Sequence, residues 1–232
     1  MKRRLACFLS LLMLGCAILS GCQSGTKEYQ KVLSEEEIAQ LQKEKYPLRD
    51  PSSFFTGDMA IGTLESGIDR GSFVLIEFIE QLPTIEEKYV PGKGTPEQIL
   101  AEKGGMDYYT FYYPSYQFRL VNTITGELPD YLIGEDNKIR ISLAPALVEE
   151  SLPNFQPGEK YVALIGESGN DITQRYSTAW FDPYFVYYVT DKECVLSATA
   201  EENFQKYSGY RLNDFEGILQ EMERNPSEQV SE

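Results

Sequence analysis

Ser72-Phe73-Val74-Leu75-Ile76-Glu77-Phe78-Ile79-Glu80-Gln81 is the stretch that decides the fold. Successive side chains of a strand point to opposite faces, so Phe73, Leu75, Glu77 and Ile79 share one face and Val74, Ile76, Phe78 and Glu80 the other. Both faces are largely apolar. A strand of that kind is central and covered on both sides. Glu77 is then a carboxylate amid apolar neighbours.

Working outward, Met59 to Leu64 reads as a preceding strand, with Glu65 to Gly71 as the turn between the two. Thr84 to Lys103 reads as an excursion. Thr95-Pro96-Glu97-Gln98 is a capping box with proline at the first helical position, and the helix it starts ends at Gly104-Gly105. Tyr108 to Tyr113 and Tyr116 to Thr123 are strand-like, and Pro114 between them predicts a bulge or an edge. Lys138 to Leu143 alternates, with Ile139, Ile141 and Leu143 inward and Lys138, Arg140 and Ser142 outward. Pro157-Gly158 turns into the strand Tyr161 to Ile165, and Thr178 to Thr190 and Cys194 to Ala198 are the last strands, joined at Asp191-Lys192.

Helices flank this body. Ser34-Glu35-Glu36-Glu37 is a capping box, with Leu33 and Ile38 as a hydrophobic staple and acids in the first turn that suit the helix dipole. That helix ends before Pro47. At the other terminus Asn213 reads as an N-cap, and Phe215, Ile218, Leu219 and Met222 at helical spacing predict an amphipathic helix packed on the sheet. Gly217 weakens it by up to about 1 kcal/mol relative to Ala.

The chain begins with Lys2, Arg3 and Arg4, followed by an apolar run from Leu5 to Leu19 that is short of the roughly 20 residues a spanning helix needs. It closes on Leu19-Ser20-Gly21-Cys22. This pattern resembles the lipobox of bacterial lipoproteins. The resemblance implies cleavage before Cys22 and lipid attachment to its thiol, hence a protein held on the extracytoplasmic face of the cell membrane. Each buried CH₂ contributes about 0.8 kcal/mol, and a single acyl chain binds only marginally, so two chains make the anchor. The organisation expected is a signal peptide over 1–21, a flexible tether over 22–33, a domain over 34–225 and a disordered tail over 226–232.

Composition narrows the function. The chain has 232 residues, a net charge of −15 and no histidine. Loss of the signal removes three basic residues and no acidic ones, which moves the charge to −18. Nucleic acid is a poor partner for such a surface. Without histidine, Ser-His-Asp and Cys-His catalysis and the usual zinc sites are excluded. Of the four cysteines, Cys7 and Cys16 leave with the signal and Cys22 carries lipid. Cys194 remains alone, so no disulfide framework exists, and its strand context reads as a buried small hydrophobe.

The order of strands and helices resembles OB-fold-like domains of poorly characterised Gram-positive lipoproteins. The resemblance covers about Met59 to Met222 and rests on Gly57-Asp58-Met59-Ala60-Ile61-Gly62, Asn137-Lys138-Ile139-Arg140-Ile141 and Pro157-Gly158-Glu159-Lys160-Tyr161-Val162. The fold expected is mainly β: one small OB-fold-like barrel of five to seven strands with an N-terminal helix, a short inserted helix and a C-terminal helix. OB folds bind oligonucleotides or sugars on a barrel face, but fold alone does not carry function.

Two aromatic clusters stand out. Tyr108, Tyr109, Phe111, Tyr112, Tyr113 and Tyr116 form one; Trp180, Phe181, Tyr184, Phe185, Tyr187 and Tyr188 form the other. A glycan site needs flat rings beside polar groups, which Trp180, Asp182 and Tyr184 supply if they share a strand face. A core ladder of cross-strand rings is the competing reading. A glycosidase needs two carboxylates at a defined separation; Glu77, Glu80 and Asp182 are the candidates. Gly166-Glu167-Ser168-Gly169 lacks the second glycine of a nucleophile elbow and has no histidine to serve it. Asp130, Glu135 and Asp136 lie in an acidic turn without EF-hand spacing. The expectation is a non-catalytic binding or interaction module with no cofactor and no metal, partnered with the membrane through Cys22 and with a protein or glycan. The alternatives are carbohydrate binding at the Trp180 segment and an envelope hydrolase.

Overall fold

The computed structural model describes residues 29–49, 62–105, 108–143, 152–167 and 175–225. Five helices and six strands lie in these segments: α1 (Glu35–Glu44), α2 (Leu64–Ile68), β1 (Ser72–Tyr89), α3 (Pro96–Lys103), β2 (Tyr109–Thr123), β3 (Lys138–Ser142), β4 (Lys160–Gly166), β5 (Thr178–Val189), β6 (Val195–Ser197), α4 (Glu202–Gln205) and α5 (Leu212–Arg224).

The sheet order is β3-β2-β1-β4-β5-β6. A parallel pairing of Arg140 with Thr178 and of Ile141 with Ala179 joins β3 to β5 and closes the first five strands into a barrel. The other neighbours pair antiparallel. This is the expected OB-fold-like barrel, with β6 added along β5. Closure leaves β5 paired with β3 at its start and with β6 at its end, so one strand serves three neighbours. Hydroxyls reinforce the seam: Thr178 Oγ1 donates to Ser142 Oγ at 2.7 Å, and the Ser115 and Ser142 hydroxyls lie 2.9 Å apart.

The two apolar faces of β1 do what its sequence predicts. Val74, Ile76 and Phe78 point into the barrel with Phe118, Ile139, Ile141, Tyr161 and Ala163. Phe73 and Leu75 point outward into a second core with Leu64, Phe204, Phe215 and Leu219, supplied by α2, α4 and α5. Glu77 departs from expectation. Its side chain is partly exposed and accepts from Arg119 at 2.9 Å, so it is a paired carboxylate at the barrel's edge.

The first of the two predicted capping boxes forms. Ser34 Oγ accepts from Glu37 N and Glu37 returns to Ser34 N, while Leu33 and Ile38 are both buried. Thr95 caps α3, but Gln98 returns to the amide of Gly94. Pro114 lies inside an unbroken β2, opposite a register shift in β1 between Leu82 and Ile85. That is the bulge its sequence predicts.

Three expectations need correction. The segment read as a strand over Met59 to Leu64 gives way to a helix after Gly62: Thr63 caps α2, reciprocally with Ser66, and the helix occupies the span read as a turn. Met59 to Ile61 lie outside the described residues. At the C-terminus Arg211, rather than Asn213, precedes the first residue of α5. Residues 29–33, read as the end of a flexible tether, are docked. Lys31 bridges Tyr210, the amides of Val32 and Leu33 donate to the Gly209 carbonyl, and Tyr29 packs on α5. The residues from 226 to 232 lie outside the described segments.

Candidate functional site

Beyond Gln81, β1 has no partner on the β4 side among the described residues, since that pairing ends at Glu77–Lys160. Its second half pairs only with Tyr109–Ser115 and projects from the barrel as a two-stranded arm. The short helix α3 sits at the tip, fixed by Ala101, which is buried, and by the Tyr109 hydroxyl, which donates to the Glu97 carbonyl at 2.9 Å. Eleven large apolar side chains are exposed among the described residues, and seven of them lie on this arm: Tyr89, Val90, Ile99, Leu100, Tyr108, Phe111 and Tyr112. Val90 is 70% exposed, Leu100 63% and Tyr112 54%. The first aromatic cluster is therefore largely surface, with Tyr116 alone turned into the barrel core.

Register assigns these residues to faces. Tyr89 opposes Tyr109, Glu87 opposes Phe111 and Ile85 opposes Tyr113, so the six share one face. The same side of β2 continues through Ser115, Gln117 and Arg119 down the outside of the barrel. There β3 adds Arg140 opposite Gln117 and Lys138 opposite Arg119. Arg175 and Tyr176, just before β5, cross to the arm and both donate to Glu87. A cleft of about 390 Å³ opens at the barrel end of this face, lined by Gln117, Tyr131, Glu135, Asp136, Lys138, Arg140 and Ser177 among others.

Arg140 is the unusual group in this cleft. It is half-buried, and one terminal nitrogen donates to the Pro83 carbonyl at 3.2 Å. Its Nε is shielded and has no hydrogen-bond partner. Burial pushes the guanidinium pKa down, and the Tyr176 phenol opposes that shift. No carboxylate lies within ion-pair distance of Arg140 or Lys138 among the described residues.

The second aromatic cluster is arranged differently. β5 inserts extra residues against β4 between Phe181 and Val186, which makes a large bulge. Asp182 builds it: Oδ1 accepts from Tyr184 N at 3.1 Å, and Oδ2 pairs with Arg70 at 2.9 Å. The Arg70 guanidinium lies 5.8 Å from the ring centres of both Trp180 and Phe185. So Trp180, Asp182 and Tyr184 do come together. They do not form an open platform, because Asp182 is 6% and Tyr184 9% exposed and the Tyr184 ring packs on Phe204. Desolvation pushes the Asp182 carboxyl up from its ordinary value, against the lowering effects of the Tyr184 amide and Arg70. Tyr187 and Tyr188 are core, with Tyr188 donating to the Pro47 carbonyl at 2.9 Å. Of the three carboxylates nominated for hydrolysis, Glu77 and Asp182 are each held by a different arginine.

Cys22 lies outside the described residues. Cys194 is buried, which pushes its thiol pKa up, as suits an inert core residue. Among the described residues no three acidic or sulfur ligands converge on a metal position, and no helix is long and apolar enough to cross a membrane.

Lys138 and Arg140 were legible as outward residues of a strand, but not as a site. The signal for them was two cations on one strand face in a strongly acidic chain. No protein-family model, curated protein or solved structure matches this chain. The fold itself defines the class: a small five-stranded OB-fold-like barrel with one added strand and a protruding arm.

Proposed function

We propose that this protein is a lipid-anchored, extracytoplasmic binding module. Cys22 holds it to the membrane, and the arm with the adjoining outer face of β2 and β3 takes the ligand. The observation that carries the reading is the concentration of exposed rings and aliphatic side chains on the arm. A folded chain scatters such groups singly, so their concentration on the two faces and tip of one arm marks an interaction surface. The position of the arm supports it. Tyr29 packs against the last turns of α5, whose Glu223 binds the amide of Gly126 beside Ser72, the first residue of β1. The arm is the other end of that strand, up to roughly 55 Å away at about 3.3 Å per residue. An anchor leading to Tyr29 leaves the arm free to reach outward.

Two measurements test this. The expressed chain enters the detergent phase on Triton partitioning and incorporates labelled palmitate, and Cys22→Ala does neither; labelling of Cys22→Ala overturns the anchor. In a screen of immobilised polysaccharides and peptides, the triple variant Tyr89→Ala, Phe111→Ala, Tyr112→Ala loses the binding shown by the unaltered chain at unchanged Tm. Retained binding overturns the assignment of the arm.

A further inference from the structure

We propose that Arg140 and Lys138 form an anion subsite, and that the ligand of this face is a saccharide polymer carrying isolated anionic groups, carboxylate or phosphate. The inference rests on the reading of the arm and the outer β2 face as the binding surface, and it adds the chemical class of what binds there.

The first ground is the state of Arg140. A desolvated cation costs free energy unless charge or hydrogen bonding compensates it. Among the described residues Arg140 has a single carbonyl acceptor and a shielded Nε with no partner, although the chain carries 36 acidic residues against 21 basic ones. An oxyanion in the cleft accepts from the guanidinium fork, which is shaped for bidentate carboxylate or phosphate recognition. Lys138, two residues along the same strand face, adds a second charge.

The second ground is the rest of the lining. Gln117, Tyr131 and Ser177 offer an amide and hydroxyls, and Leu132 is the one large aliphatic residue in the cleft. That lining suits sugar hydroxyls better than the apolar side chains of a peptide. The third ground is spacing. From Gln117 to Phe111 is six residues of β2, roughly 20 Å, so one extended ligand spans the cation pair and the exposed rings. Rings of this kind stack on sugar faces. Finally, Glu135 and Asp136, in the same lining as the two cations, repel a densely charged strand. With a net charge of −15, they set this face against nucleic acid and favour a ligand with sparse charge.

The test uses the full chain in detergent micelles and isothermal titration with five probes: a galacturonate hexamer, its neutral methyl ester, a phosphorylated maltohexaose, an oligoglutamate and an oligothymidylate. The charged saccharides bind at least about tenfold more tightly than the ester, and the preferred one identifies the anion. Arg140→Gln removes that preference, so that the charged saccharide binds no more tightly than the ester. Arg140→Lys restores part of it, and Lys138→Gln flattens its salt dependence. Equal affinity for the ester, or an Arg140→Gln chain with the preference intact and an unaltered melting curve, overturns the subsite. Tighter binding of oligoglutamate or oligothymidylate overturns the saccharide class. If Arg140→Gln changes nothing while the triple arm variant abolishes binding, the surface stands and the subsite falls. If neither variant affects binding, both fall.

Discussion

At Gly217 a β-carbon would stand 2.7 Å from the Tyr29 hydroxyl and 3.1 Å from its ring. The residue that weakens α5 on propensity is therefore the one that lets the strap at residues 29–33 lie against it. Gly217→Ala gains up to about 1 kcal/mol of helix propensity and displaces Tyr29. The expected outcome is faster tryptic cleavage at Lys31 without a lower Tm; an unchanged cleavage rate removes the strap from Gly217's role. Asp182 shows how burial changes a residue's meaning. Its acceptor role toward Tyr184 N survives in Asp182→Asn but not in Asp182→Ala, and loss of that buried hydrogen bond costs about 1–3 kcal/mol. Its native carboxyl titrates above the unfolded one, so the folded state binds more protons and stability falls as pH rises from the ordinary Asp range through the raised native value. Asp182→Asn flattens that fall. Urea denaturation of both variants from pH 4 to pH 8 checks the sign; a fall of the same slope in Asp182→Asn assigns it to another group.

Among the elements, the segment before β4 illustrates what periodicity misses. Phe155 lies in a connection with no regular structure, yet its ring meets Phe78, Tyr116, Phe118, Tyr161 and Phe181 at the barrel's mouth. Phe155→Ala is expected to cost about 3–5 kcal/mol, seen as a lowered urea midpoint at unchanged slope. Exposed rings on the arm behave oppositely: Phe111→Ala stays within about 0.5 kcal/mol of the parent, so loss of ligand without loss of stability is the signature of the arm. Strands with one or two apolar faces, such as β1, β3 and β4, were legible because a period of two sorts buried from exposed side chains. The helix α2 was not. Its five residues are too few for a helical period, and the Thr63–Ser66 cap that sets it resembles any polar turn. The aromatic clusters were legible as clusters only, since Tyr serves core and surface equally well.

At the scale of the molecule, stability is distributed by closure. The half of β1 from Ser72 to Glu77 is paired on both sides and packed on both faces, whereas among the described residues the arm from Leu82 to Tyr89 is paired on one side only. Amide hydrogen exchange followed by mass spectrometry is expected to show peptides over 72–78 exchanging only on global unfolding and peptides over 82–90 exchanging through local opening. Equal protection of the two halves contradicts this division.

The sequence by itself determined the mainly β class, the doubly covered strand at its centre, the capped helices, the buried Cys194 and the exclusion of histidine chemistry. These follow from local periods, local caps and residue counts. The tertiary structure decided which aromatic cluster is core and which is surface, the bulge that sequesters Asp182 with Arg70, the plug at Phe155 and the cation pair beside the arm. The reason is sequence separation. The parallel pairing of β3 with β5 that closes the barrel joins residues 38 apart, Arg140 and Thr178. The Arg70–Asp182 pair spans a longer separation still. No pattern within a strand reports such contacts.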